Sequence, residues 1–238
     1  MIEKFKKYVD KFDFGDSNIT RKYDHSLRVM ELCKGIAKDL GLSNDDILLS
    51  EVIGLLHDYG RFMQVNKYHT FSDLKSIDHG DYGVQVLFDN NEISNYWDNK
   101  NDYDIIYDAI KYHNKLEIPK GLDKRNNMFC QIVRDADKLD ILYIFASKIF
   151  ILPEDDDISL KVKETFEDDK QINRKDEISG ADRVITTLAL IYDLNYKYSF
   201  RYLKKYKIIE QIYDNINDKD KFKYYFDKIF KYIDEKSK

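Results

Sequence analysis

The stretch GLLHDYGRF, residues 54–62, closes an apolar run with a histidine and an aspartate side by side. Upstream, Ile47, Leu48, Val52, Leu55 and Leu56 recur at helical spacing, which predicts a helix whose inward face leads up to His57 and Asp58. A carboxylate and an imidazole at the end of a core-facing stripe are costly unless paired, and a bound cation satisfies both together. Ser43, with Asp46 three places on, supplies a capping-box-like start for the same helix.

Outward from that stretch the chain reads as helices joined by short polar connections. Only 2 prolines and 9 glycines occur in 238 residues, and alternating strand patterns are scarce, so the expected fold class is all-α. A helix near 21–40 carries Val29, Leu32, Cys33, Ile36 and Leu40 and stops at Gly41, a residue suited to the left-handed turn after a helix. Residues 61–76 lose periodicity and read as a long loop, of the kind that is often functional. Helices follow over 76–88 and 102–114, the second with Ile105, Ile106, Ala109 and Ile110 inward; 127 to about 150 is the most apolar helix, expected to lie centrally. The acidic break LPEDDD, residues 152–157, marks the expected boundary between a domain over 1–152 and a C-terminal helical extension over 153–238 packing on it.

Several function classes are disfavoured. Lys and Arg total 39 against 44 Asp and Glu, a net charge of −5 spread along the chain, which argues against a nucleic-acid duplex as partner. The Lys- and Tyr-rich tail from Tyr196 to Lys238 reads as a solvated face opposite an aromatic one. Cys33 and Cys130 are far apart and form no CxxC, so neither a disulfide framework nor a zinc finger is indicated, and a reducing cytoplasm fits best. No stretch is long enough to cross a bilayer. The opening residues space Ile2, Phe5, Val9 and Phe12 as an amphipathic helix, unlike the unbroken apolar centre of a signal peptide.

The chemistry concentrates in ligand-type side chains. His25 shares the inward stripe of its helix with Val29, Leu32 and Ile36, and Asp137 lies similarly between Val133 and Ile141. His79, in SIDHGDYG, and His113, in IKYHNK, fall on later helices. One histidine on an apolar face is ordinarily a hydrogen-bonded core residue. Four of the five histidines, with two carboxylates, at the inward edges or ends of successive helices point instead to a shared ion. His69 stands outside this order and reads as a loop residue, facing substrate or simply exposed.

The ordered pattern H…HD…H…H…D, with the phrases HSLRV, LLHDYGRF and DADKLD around its members, resembles the HD superfamily of metal-dependent phosphohydrolases over about residues 20–145. The resemblance implies an HD-type helical bundle and one metal held by His25, His57, Asp58 and Asp137. It further implies a second metal held by His79 and His113, with Asp58 bridging the two. A ligand set of imidazole and carboxylate without thiolate suits one or two divalent ions among Fe, Mn, Co, Ni, Zn and Mg. The implied reaction is attack of a metal-bound hydroxide on a small phosphorylated substrate, a nucleotide or other metabolite. Asp58 is then central to catalysis, with Arg61, Lys138 and Arg28 as cations that orient the phosphate; Arg28 and Arg61 also read as surface salt-bridge partners.

Two other functions share these residues. Some family members use a similar six-ligand pair of irons for oxygenase chemistry, and a non-catalytic nucleotide or metal sensor is a third reading. The complete ligand set disfavours the sensor. No Walker-type phosphate loop and no GxSxG elbow competes.

Overall fold

The computed structural model describes residues 1–12 and 17–238. These are helical in character, with no strand among the described residues beyond an isolated bridge between Phe150 and Ile216. Two compact units are present, Met1–Asp137 and Lys138–Lys238, and the division falls inside a long helix, upstream of the acidic break at 152–157.

The N-terminal unit begins with α1 (Ile2–Val9), α2 (Ser17–Asp39) and α3 (Asn44–Leu56). Helix α2 ends as its glycine predicts. Gly41 adopts φ +68°, the Leu42 N–H donates to Ala37 O at 3.2 Å and the Gly41 N–H to Lys38 O at 3.0 Å, which satisfies carbonyls the helix leaves open. Ser43 caps α3, its hydroxyl accepting from the Asp46 N–H at 3.2 Å. The α2–α3 hairpin buries Val29, Cys33, Ile36, Leu49, Val52 and Leu55. Leu40 and Leu48, expected inside, are exposed at 37% and 47%; on α3 Leu49 is buried beside Val52, Leu55 and Leu56, which are inward as expected.

Beyond His57 and Asp58 the chain re-enters helix immediately as α4 (Tyr59–Tyr68), which corrects the reading of 61–76 as a loop. The buried face of α4 is Tyr59, Phe62, Gln64 and Val65. Gln64 breaks the apolar period, yet it is fully buried and its amide donates to Asp73 Oδ1, Ser76 Oγ and Ile77 O, so a polar residue occupies a core position at no unpaired cost. The helix stops at His69, which is exposed and left-handed at φ 54°, and only 69–78 is irregular apart from one turn of tight helix.

Helix α5 (His79–Asp89) starts later than 76, where Asp78 caps it by accepting from the Gly80 and Asp81 N–H groups. Helices α6 (Tyr103–Tyr112) and α7 (Lys124–Ala146) follow, and Ile105, Ile106, Ala109 and Ile110 are buried as their spacing predicts. Helices α4 and α5 approach at Gly60, where an added Cβ would lie 2.6 Å from Gly83 N and 2.7 Å from His79 O. Tyr8 of α1 stacks on Tyr59, ring centroids 3.8 Å apart, and its hydroxyl donates to Tyr59 O, which pins the start of α4.

The C-terminal unit contains the last turns of α7, then α8 (Leu160–Glu167), α9 (Gly180–Leu188), α10 (Lys197–Lys205), α11 (Ile208–Asp214) and α12 (Lys219–Lys236). Its core gathers Val162, Phe166, Val184, Ile185, Leu188, Leu203 and Phe226. Both cysteines are buried free thiols, and no helix among the described residues is long and apolar enough to cross a membrane.

Candidate metal centre

Two of the six proposed ligands project from helix interiors and four from helix ends. His25 lies in α2 and Asp137 in α7; His57 and Asp58 occupy the joint between α3 and α4, His79 opens α5 and His113 closes α6. Asp58 stands where an aspartate ordinarily caps the next helix, but its carboxylate makes no cap hydrogen bond and turns into the cluster. The turn after His113 is clamped by buried Arg134, which donates to Tyr112 O at 2.8 Å and Lys115 O at 2.6 Å.

The structure brings all six together. His25 Nε2 lies 3.1 Å from His57 Nε2, 3.1 Å from Asp137 Oδ1 and 3.4 Å from Asp58 Oδ2; His57 Nε2 lies 3.5 Å from Asp58 Oδ2 and 3.6 Å from Asp137 Oδ1. On the other side, Asp58 Oδ1 is 3.4 Å from His79 Nε2 and 3.7 Å from His113 Nε2. Two donor atoms each about 2.1 Å from one ion, at bond angles of about 90–110°, sit roughly 3.0–3.4 Å apart. The observed separations are close to that range. Each Asp58 oxygen faces a different histidine pair, the disposition a bridging carboxylate requires.

Proton placement decides what such a cluster can hold. His113 Nδ1 donates to Ile110 O at 2.6 Å and His79 Nδ1 to the Asp73 carboxylate at 2.6 Å; both partners only accept. In the neutral imidazoles the two Nε2 atoms, 3.0 Å apart, therefore present lone pairs to each other. His57 is fixed in the same tautomer by Gly54 O at 2.7 Å. Burial pushes the His57 imidazole down, and burial followed by the Arg61 charge pushes His79 down to about 3, so both stay neutral ligands. Burial works to raise both carboxylates, but Lys22 holds Asp58 well below the usual carboxylate range and His25 does the same for Asp137. Facing lone pairs beside ionised carboxylates fit a divalent cation in each half of the cluster.

This ordered cluster has a counterpart among known families: the HD domain matches residues 23–142, half of the chain. The chain belongs to the HD-domain family. HD domains bind divalent metals and form a superfamily of metal-dependent phosphohydrolases, and two triads of this chain, His25 with His57 and Asp58, and Asp58 with His79 and His113, meet the geometric demands of such ions. Comparison with curated proteins and with solved structures returned no match.

The cations named from the sequence are placed differently from one another. Arg61 is nearly buried, with Nε 3.6 Å from Asp58 Oδ1, and its Nη1 donates to Asp73 Oδ1, Gln64 Oε1 and Phe71 O, so it braces the segment beside the cluster. Lys138 is buried with its ammonium 2.8 Å from Asp193, an ion pair inside the C-terminal unit. Arg28 is half-buried one turn beyond His25. Two contributors were not singled out from the sequence. Lys22, one turn before His25, places its ammonium 2.5 Å from Asp58 Oδ2, and its spacing was sufficient to flag it. Asp73 orients His79 from the irregular segment, where no periodicity points to it.

Proposed function

We propose that this HD-domain protein is a hydrolase of phosphate esters, acting on a nucleotide or another small phosphorylated metabolite with one or two divalent ions held by His25, His57, Asp58, His79, His113 and Asp137. The split disposition of Asp58, one oxygen toward each histidine pair, carries this reading. The ions, when bound, supply Lewis acidity that activates water near neutral pH and offsets charge developing on the phosphoryl oxygens. The histidines and carboxylates hold the centre without a thiolate, which suits Fe, Mn, Co, Ni, Zn or Mg.

The remaining residues position and charge the site. Lys22, with its side chain 21% exposed, is the cation at Asp58 Oδ2 and stands ready to donate to a phosphoryl oxygen. Arg61 keeps its guanidinium beside Asp58 Oδ1 while fixing Asp73, and Asp73 holds His79 with Nε2 unprotonated. The acidic balance of the chain favours a small substrate over a nucleic-acid duplex or a membrane surface, and the free buried thiols are in keeping with the cytoplasm.

Purified protein incubated without oxygen with Mn²⁺, Fe²⁺, Ni²⁺ or Mg²⁺ and a panel of nucleotides and sugar phosphates should release phosphate or a nucleoside monophosphate. Oxygen consumption with iron, and no phosphate release with any metal, would assign the same ligands to oxygenase chemistry. Nucleotide binding without turnover under every condition would make the protein a sensor.

A further inference from the structure

The C-terminal unit contains a cavity of about 200 Å³ walled by the end of α7, the segment from Gln171 to Glu177, and α9. Its apolar floor is buried Phe145, Ile172 and Leu190. Around it stand Lys148, Arg174 and Arg183 against a single carboxylate, Glu177, an excess of positive charge in a chain whose net charge is −5.

The charges of this wall single the cavity out. Among the described residues, Arg174 and Arg183 donate no side-chain hydrogen bond and make no close ion pair, although Glu177 is near enough to feel both charges. A guanidinium presents a planar fork that matches an oxyanion, and two unpaired forks over an apolar floor match an anion with an apolar body.

We propose that this cavity is a second ligand site, for a small organic oxyanion whose apolar body rests on Phe145, Ile172 and Leu190 and whose phosphate or carboxylate head is bound by Arg174 and Arg183. The site is built from residues of the C-terminal unit alone and is independent of the reaction assigned to the metal centre.

Calorimetric titration of the metal-free full chain with phenyl phosphate and with benzoate tests this and separates the two head groups. At least one probe should bind saturably, one per chain. Replacing two charge-assisted contacts in the Arg174→Gln, Arg183→Gln double variant should weaken it about tenfold or more. Both arginines are exposed, so the helical circular dichroism should be unchanged; if it is not, Arg183→Gln alone carries the comparison. Absence of saturable binding by both probes, or affinity undiminished in the arginine variants, overturns the proposal.

Discussion

His79 and His113 face each other with their Nε2 atoms 3.0 Å apart while each Nδ1 is held by an acceptor, Asp73 for one and Ile110 O for the other. Two neutral imidazoles so arranged repel unless a cation lies between them and Asp58. The same hydrogen bonds that orient the rings thus prepare them as ligands, and the stabilisation lost by crowding lone pairs together is recovered on metal binding.

Asp58→Ala should abolish turnover and remove ions from both halves of the cluster, because one carboxylate serves both pairs. Metal content by plasma mass spectrometry, alongside phosphate release, checks it. Full activity in this variant would sink the bridging role.

Asp73→Asn should act chiefly through His79, while also weakening the ion pair from Arg61. An amide can still meet Nδ1 but no longer fixes its proton or adds negative charge, and outer-shell changes of this kind typically cost about 10–100-fold in metal affinity. Titration with Mn²⁺ should show one weakened site and one retained. Loss of both together would mean that Asp73 supports the fold instead.

How far these residues could be read beforehand depends on where each sits. His25 and Asp137 were legible because regular helices carry them, so apolar neighbours one turn away fix their facing. His57, Asp58 and His113 were legible as endings of apolar stripes. Asp73 was not, because it reaches His79 through irregular backbone held by tertiary hydrogen bonds, among them those from Arg61 and Gln64. Helix α4 escaped for a related reason: Gln64 interrupts its apolar period, and its burial is explained by three tertiary hydrogen-bond acceptors, none on its own helix. Leu40 and Leu48 show the opposite error, since spacing identifies a stripe but not which edge of it the neighbouring helix covers.

Gly60→Ala should damage the second half of the cluster from a distance. Its methyl would press on Gly83 N and His79 O, both backbone, which cannot move aside as a flexible side chain could. Overpacking of this kind costs typically about 1–3 kcal/mol. A lowered thermal midpoint and weaker binding of the ion at His79 are expected, whereas Gly41→Asn, at an open left-handed position, should be much milder.

Acid should destabilise the metal-free protein. His57 and His79 are pushed down from 6.5, His79 to about 3, and Asp58 and Asp137 lie well below 3.8. All four bind protons more readily when unfolded, so stability is greatest above about pH 6.5, declines as unfolded imidazoles protonate below it, and falls further below about pH 4 with the carboxylates. Thermal midpoints measured across that range should drop steadily. A midpoint that stays level or rises on acidification would contradict the proton placement.

Crystals grown with Mn²⁺ and measured at its absorption edge test the central claim most directly. The account predicts two anomalous peaks, one coordinated by His25, His57, Asp58 Oδ2 and Asp137, the other by Asp58 Oδ1, His79 and His113. A cluster with no ion, or a single ion that Asp58 does not touch, would contradict it.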